Sequence, residues 1–198
     1  MLYWIFKAIF LIILKVFFRL KVEGKENLPK KSNFIVVANH ASYLDGLVIM
    51  ATMPKKISCI AFRGFYKIAW LRWFFKSVEA LPSGRSSDKA ISLLMQNKNV
   101  GLFPEGRLSK DGTLSEFRRG VALLAVKTGR PIVPCAILGT YEALPRRAKL
   151  PKFVPITLKI GKPLYLLKEF GDLIDDISLQ EGIFKIRKAV KELIDAEG

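Results

Sequence analysis

The chain has 198 residues and carries 33 Lys and Arg against 17 Asp and Glu, which gives a formal net charge of +16. Half of the residues are apolar, which excludes a disordered basic tail and predicts one domain with its own core. The single histidine, His40, excludes a metal site built from several histidines. The two cysteines, Cys59 and Cys135, lie in apolar runs that favour buried free thiols over a disulfide.

The positive charge is concentrated in three segments. Residues 1–31 carry seven Lys and Arg against two Glu, residues 54–85 carry seven against one acidic residue, and residues 146–168 carry seven against none. Residues 169–198 reverse the balance, with four basic and eight acidic side chains. This polarity predicts a surface that attracts anions, a class that includes nucleic acids, acidic lipids and acidic carrier proteins.

The most apolar stretch comes first in the chain. In a helix over residues 1–20, Lys7, Lys15 and Arg19 lie within about 120° of one another, and apolar side chains cover most of the remaining surface. This pattern predicts an amphipathic helix in the headgroup region of a membrane, with cations that reach the phosphates. The aromatic residues expected on its lipid-facing side are Trp4, Phe6, Phe10, Phe17 and Phe18. A core helix and a single membrane span are the alternatives.

Apolar strands and helical patterns alternate along the rest of the chain. The predicted strands are residues 34–38, 57–61, 100–103, 132–137 and 156–160. The predicted helices are residues 44–52, 64–76, 87–97, 115–128 and 178–196. The alternation predicts an α/β domain whose central strands are buried on both faces, with function in the loops beyond the carboxyl ends of the strands. We expect two parts, a docking helix over residues 1–21 and this domain over residues 22–198.

The loop after the first of these strands contains Asn39, His40 and Asp45. On one regular helix the last two side chains would point about 140° apart, so they meet only if a turn separates the strand from the helix. An aspartate that accepts a hydrogen bond from one imidazole nitrogen leaves the other nitrogen free to take a proton from an alcohol. A loop histidine without a chemical role, next to an aspartate that favours a helix start, fits the same residues.

The loop after the third predicted strand contains Glu105, Gly106 and Arg107. The glycine permits close approach of the backbone to a ligand, and the guanidinium group matches phosphate or carboxylate oxygens. Arg118 adds a further cation a few residues later. Alone, the loop indicates an anion site, and a charged turn balanced by its own acidic residues is the alternative.

Four blocks of sequence resemble the glycerolipid acyltransferases, in particular the 1-acyl-glycerol-3-phosphate acyltransferases. The blocks are Asn39-His40 with Asp45, Phe103-Pro104-Glu105-Gly106, Phe117-Arg118-Arg119-Gly120 and Ile132-Val133-Pro134, and the resemblance extends over residues 22–165. It implies an α/β fold with a central mixed sheet flanked by helices, preceded by a membrane-docking helix. It also implies transfer of an acyl group from a coenzyme A or acyl carrier protein thioester to the sn-2 hydroxyl of lysophosphatidic acid, giving phosphatidic acid.

The resemblance gives individual residues a role. His40 matches the catalytic base and Asp45 the residue that orients it. The substrate-binding residues that we expect are Asn39, Arg63, Arg85, Glu105, Gly106, Arg107 and Arg118. Direct attack by a lipid hydroxyl needs a base, an orienting group and cations, so we expect no covalent intermediate, no bound cofactor and no metal.

One block departs from the family pattern. Many members read Glu-Gly-Thr-Arg-Ser where this chain reads Glu105-Gly106-Arg107-Leu108-Ser109, so the arginine comes one position early. The departure leaves open an acyltransferase for another lysophospholipid or an acyl-amine lipid. A basic membrane-binding module without activity is a further alternative. We expect an anionic membrane surface as partner, no nucleic acid, and a peripheral or monotopic location at the cytoplasmic face of the membrane.

Overall fold

The computed structural model describes residues 1–84, 86–166 and 176–196. Its helices are α1 (Leu2–Phe18), α2 (Asp45–Thr52), α3 (Ala69–Ser77), α4 (Ser87–Met95), α5 (Gly120–Thr128), α6 (Thr140–Ala143) and α7 (Asp176–Asp195). Its strands are β1 (Lys21–Glu23), β2 (Ile35–Ala38), β3 (Ile57–Ala61), β4 (Leu81–Pro82), β5 (Asn99–Leu102), β6 (Ile132–Leu138) and β7 (Thr157–Ile160). Two turns of 3₁₀ helix lie at Lys25–Asn27 and Arg63–Lys67.

The described strands form one mixed sheet in the order β1-β7-β6-β2-β5-β3-β4. Strand β7 runs antiparallel to β6, and the other neighbouring pairs are parallel. The predicted α/β fold with a mixed sheet is therefore confirmed. Because β2, β3, β5 and β6 are parallel, the loops at their carboxyl ends emerge at one edge of the sheet.

Hydrophobic cores cover both faces of the sheet. Strand β2 alternates between them: Val36 packs in the core with α1 and α2, and Val37 packs in the core with α4, α5 and α7. All four residues of β2 are buried, as the continuous apolar run predicts for a central strand. The two strands absent from the prediction, β1 and β4, have three and two residues and are too short for a periodic pattern.

Two predicted helices begin later than expected. Residues 115–119 are not helical, because the Ser115 N–H donates to the carboxylate of Glu105 and the Arg118 N–H donates to the carbonyl of Pro104. The predicted helix over residues 64–76 is divided by the extended backbone of Ile68 into a 3₁₀ turn and α3.

Helix α1 packs against α2 and presents a different side to solvent from the predicted one. Phe18 is buried in the core, whereas Phe6 and Phe10 make edge-to-face contacts with Phe74 of α3 at ring-centroid distances of 5.1 and 5.9 Å. The exposed side of α1 is mainly aliphatic, with Ile5, Ile9, Ile12 and Val16 beside the half-exposed Trp4 and Phe17. Of the five aromatic residues predicted on the lipid-facing side, Trp4 and Phe17 are exposed, whereas Phe6, Phe10 and Phe18 pack on the protein.

The cations of α1 are also separated from one another. The Lys7 ammonium group donates to the backbone carbonyl of Met53, and its partial burial lowers the pKa of Lys7. The prediction that Lys7 reaches lipid phosphates beside Lys15 is therefore wrong. Lys15 and Arg19 are exposed. No helix within the described ranges has both the length and the apolar composition needed to cross a membrane.

Candidate active site

The side chains of His40 and Asp45 meet across the turn that separates β2 from α2. The Nδ1 atom of His40 lies 2.9 Å from Oδ2 of Asp45. The aspartate side chain is fully buried, and the histidine side chain is 22% exposed. A carboxylate at Nδ1 favours the tautomer that carries its proton there, so Nε2 is the nitrogen left to accept a proton. Within the described residues no hydrogen bond engages Nε2.

The Asp45 carboxylate is held by the backbone of its own turn. Its Oδ2 atom accepts hydrogen bonds from the N–H groups of Ala41 and Ser42, both at 2.8 Å, in addition to the contact with His40. Asp45 is also the first residue of α2, where the helix dipole favours a negative charge. Oδ1 has no partner among the residues that the structure describes. The turn therefore holds a buried carboxylate next to Nδ1 of the imidazole ring.

Two further contacts hold His40, one at the imidazole ring and one at the backbone. The first involves the ring. It stacks on Phe103 at a centroid distance of 4.1 Å and an interplanar angle of 13°. The backbone carbonyl of His40 accepts a hydrogen bond from the N–H of Ser109 at 2.7 Å. The sequence prediction assigned no role to Phe103. The signal that could have identified it is an aromatic residue at the carboxyl end of β5, the strand next to β2.

Glu105 is buried and connects three segments of the site. Its Oε1 accepts from the backbone N–H of His40 at 2.7 Å, and its Oε2 accepts from the N–H of Ser115 at 3.0 Å. Both oxygens are thus engaged with the protein, and a carboxylate would repel the phosphate that the resemblance assigned to this block. These contacts hold the backbone of His40, and the predicted substrate contact of Glu105 stays a prediction.

Asn39 is buried between β2 and β6. Its amide nitrogen donates to the carbonyl of Ile137 at 2.9 Å, and its amide oxygen accepts from the N–H of the same residue at 2.7 Å. The side chain therefore continues the pairing of the two strands beyond Ala38. These contacts hold the loop of His40, and the predicted substrate contact of Asn39 stays a prediction.

Gly106 and Arg118 are in contact. Gly106 has a φ of +69°, and a Cβ at this position would lie 2.5 Å from Cζ of Arg118. The exposed guanidinium group thus crosses the backbone of the glycine, directly after the residue that holds the His40 N–H. Within the described part of the chain the Arg118 guanidinium has no acidic partner. The Arg118 guanidinium therefore places a positive charge over the backbone that follows Glu105.

Two other predicted cations lie in loops at the same edge of the sheet. Arg107 is exposed in the loop after β5, and Arg63 is exposed at the start of the 3₁₀ turn after β3. The backbone N–H of Arg63 donates to the Ser83 hydroxyl at 3.1 Å. Arg85 lies outside the described residues.

The two cysteines are free thiols with no thiolate character. Burial raises the pKa of the Cys59 thiol to about 12 and raises that of Cys135 further. Neither can supply the thiolate needed for a covalent intermediate at neutral pH. Among the described residues, no group of three or more metal-ligating side chains could hold an ion.

Comparison with known proteins identifies the family. The acyltransferase family model matches residues 19–138, which is more than half of the chain and includes the dyad, Glu105 and Arg118. The chain belongs to the acyltransferase family. The resemblance in the four sequence blocks is therefore confirmed.

Named relatives point to one group of these acyltransferases. The 1-acyl-sn-glycerol-3-phosphate acyltransferase of Bacillus subtilis is 31% identical over 181 residues, which cover 87% of this chain and 87% of that protein. The chloroplastic enzyme LPAT1 of Arabidopsis thaliana is 31% identical over 65% of this chain. The chain spans only 38% to 51% of the length of LPAT1 and of the relatives from Brassica napus and Borreliella burgdorferi.

A solved structure has the same fold. The crystal structure of the 1-acyl-sn-glycerophosphate acyltransferase PlsC from Thermotoga maritima matches with a TM-score of 0.83 and 29% identity. The match covers 99% of this chain and 81% of that chain. The shared architecture therefore includes both the sheet and the helices that cover it.

Proposed function

We propose that the chain transfers an acyl group from a thioester to the sn-2 hydroxyl of 1-acyl-glycerol-3-phosphate, giving phosphatidic acid. The observation that carries the proposal is the His40–Asp45 pair with its 2.9 Å contact, since no described residue forms a hydrogen bond with Nε2. The Arg118 cation over Gly106, which has no acidic partner among the described residues, supports it. The names of the relatives support the same acceptor. Either coenzyme A or acyl carrier protein fits as the carrier of the thioester.

In the proposed mechanism His40 acts as general base. Nε2 takes the proton of the acceptor hydroxyl while the oxygen forms a bond to the thioester carbonyl carbon. The tetrahedral intermediate then collapses, the carbon–sulfur bond breaks, and the thiolate leaves with the proton that His40 returns. Asp45 stabilises the transient imidazolium through the contact at Nδ1. The fixed ring needs no reorientation during the reaction, since Phe103 stacks on it.

The phosphate of the acceptor would bind to the cations at the same edge of the sheet. Arg118 lies over the backbone that follows Glu105, and Arg107 and Arg63 are exposed in neighbouring loops. Guanidinium groups can form paired hydrogen bonds to phosphate oxygens. Gly106, Arg85 and these three arginines make up the proposed phosphate site, with Glu105 and Asn39 as supports.

The lysophospholipid acceptor resides in membranes, so we propose that the helix over residues 1–21 docks the domain on an anionic bilayer. The exposed aliphatic side of α1, with Ile5, Ile12 and Val16, supports this, as do the exposed cations Lys15 and Arg19. The proposed location is peripheral or monotopic, at the cytoplasmic face of the membrane.

The experiment that tests the proposal measures thioester consumption with different acceptors in detergent micelles. We expect rapid consumption with lysophosphatidic acid and slow consumption with lysophospholipids that bear choline or ethanolamine. Faster reaction with either of those would favour the alternative acceptor. No acceptor-dependent consumption at all would favour a basic membrane-binding module without activity.

A second experiment tests the phosphate site. Arg118→Ala removes the cation over Gly106, so we expect KM for lysophosphatidic acid to rise about tenfold or more, with a smaller change in KM for the thioester. Lys127→Ala is the matched control, because it removes an exposed cation from α5, in the last turn of the helix that follows Arg118. Equal KM values in the two variants would place the acceptor phosphate elsewhere.

A further inference from the structure

Helix α3 exposes two tryptophan side chains on one side. Trp70 is 68% exposed and Trp73 is 55% exposed, at positions three residues apart that lie on one helix face. The opposite side of α3 already packs on the protein, with Phe75 stacked on Phe65 at 5.5 Å and Phe74 against α1. Large aromatic side chains are rarely left in water as neighbours, so this second apolar side indicates a surface that binds a partner.

The surroundings of the two tryptophans are strongly basic. Residues 62–78 carry four cations and no acidic residue. All four side chains are exposed: Arg63, Lys67, Arg72 and Lys76. A tryptophan ring prefers the boundary between water and lipid tails, and basic side chains with long apolar stems reach phosphate headgroups from the same depth. This combination fits the headgroup region of an anionic bilayer.

Helices α1 and α3 are in contact beside Trp73. Phe6 of α1 contacts the ring of Trp73 edge-on at 5.8 Å, and the same Phe6 contacts Phe74 at 5.1 Å. Both helices expose large apolar side chains, and residues 1–22 likewise contain no acidic residue. Continuity with α1 argues for the same partner on both helices.

We propose that α3 is the second half of the membrane-docking surface and that Trp70 and Trp73 insert among the lipid headgroups next to α1. The inference extends the docking proposed for α1 above, and it can hold or fail independently of the proposed chemistry. An acidic carrier protein is the less suitable partner, because its binding would use the cations and leave the two indole rings in water.

Docking through α3 would place the catalytic loop at the bilayer. Tyr43 lies in the turn between His40 and Asp45, and its ring contacts Phe65 at 6.1 Å. Phe65 in turn stacks on Phe75 of α3. A lipid acceptor could then reach the histidine without leaving the interface, since these contacts connect the turn to the docked helix.

The three tryptophans of the chain make a direct test available. They are Trp4, Trp70 and Trp73, so the variant Trp4→Phe leaves emission from α3 alone. With vesicles of phosphatidylcholine containing roughly a third phosphatidylglycerol, we expect a blue shift and quenching by lipids brominated on the acyl chain. Unchanged emission while the protein sediments with the vesicles would overturn the proposal.

A double variant provides the second measurement. Trp70→Ser with Trp73→Ser should weaken vesicle binding by roughly tenfold or more, whereas Phe184→Ser, at a 65% exposed position on α7, should not. Turnover of a short-chain, water-soluble acceptor should be unchanged in the double variant. Vesicle binding by this variant at the wild-type level would overturn the proposal. Absence of activity on the soluble acceptor in the wild-type chain would instead count against the proposed function.

Two other partners for α3 have distinct outcomes in the same experiments. A blue shift that grows with protein concentration in the absence of vesicles, together with a dimer that the double variant abolishes, would overturn the proposal in favour of a second copy of this chain. Unchanged vesicle binding with a raised KM for an acyl carrier protein thioester would overturn it in favour of the carrier. Arg72→Gln should weaken binding to anionic vesicles more than Lys127→Gln does.

Discussion

Asp45→Asn removes a charge from the candidate active site with little change in shape. The amide oxygen can take the position of Oδ2 and keep the three contacts with His40 Nδ1 and the N–H groups of Ala41 and Ser42. The amide nitrogen then takes the position of Oδ1, which has no partner within the described residues. The substitution therefore weakens three charge-assisted hydrogen bonds and buries a donor without an acceptor.

The effect on stability follows from these contacts. Hydrogen bonds to a charged group contribute about 1.5–3 kcal/mol and neutral ones about 0.5–1.5 kcal/mol, so three weakened bonds together cost about 3 kcal/mol. We expect the free energy of unfolding to fall by about 2–4 kcal/mol.

The effect on turnover is a separate quantity. Two unit charges 2.9 Å apart at an effective dielectric constant of about 20 interact by about 6 kcal/mol, which bounds what the carboxylate can give to an imidazolium. Proton transfer is incomplete in the transition state and the histidine is partly exposed, so we expect kcat to fall about 10²- to 10³-fold.

The assay separates loss of stability from loss of turnover. Thermal unfolding gives the first, and kcat with lysophosphatidic acid and an acyl thioester gives the second, measured well below Tm. Ile186→Ala is the matched control, because it removes a fully buried side chain of α7 in the core on the other face of the sheet and costs about 2–5 kcal/mol. Wild-type kcat in Asp45→Asn, or an equal fall in kcat for Ile186→Ala, would refute the reasoning.

The structure carries three further predictions. Glu105→Gln leaves one backbone N–H without an acceptor, so we expect thermal unfolding to show a loss of about 1–3 kcal/mol in stability. We also expect kcat to fall at least tenfold, and an unchanged kcat would show that Glu105 does not position the histidine. Gly106→Ala displaces Arg118 and should raise KM for the acceptor, whereas Gly112→Ala, with a similar positive φ, should lower stability alone; equal KM values would exclude Arg118 from the phosphate site. Burial raises the pKa of the Cys59 thiol to about 12, so iodoacetamide at about pH 8 should leave the native protein unmodified by mass spectrometry and fully active by assay. Rapid inactivation would contradict the assignment of Cys59 as a buried thiol.

The sequence identified the parts of the fold that carry strong periodic signals. Strands β2, β3 and β6 are apolar runs, and the structure places them close to their predicted bounds. Strands β2 and β6 are buried along nearly their whole length, whereas the last three residues of β3 are partly exposed. The pairing of His40 with Asp45 depended on a turn between strand and helix, and the backbone N–H groups that bind the carboxylate form that turn. The residues alone allowed this arrangement without requiring it.

Other features depend on contacts that one sequence does not reveal. The sequence placed Glu105 in a candidate phosphate loop, but it could not show that the carboxylate accepts from the N–H groups of His40 and Ser115, which lie 65 and 10 positions away along the chain. Helix α1 is apolar on most of its surface, so its pattern could not show which side faces the protein. The partly buried position of Lys7 follows from the packing of α1 against α2 and from the hydrogen bond to the carbonyl of Met53. Removal of residues 1–20 would therefore also remove core side chains such as Leu14 and Phe18.

The most direct test of the central claim is the turnover of His40→Ala. The Asp45 carboxylate keeps its two backbone N–H donors in this variant, so we expect the protein to remain folded by thermal unfolding. If His40 is the general base, kcat with lysophosphatidic acid and an acyl thioester falls by about 10²- to 10⁴-fold. A folded His40→Ala protein with near-normal kcat would contradict the account.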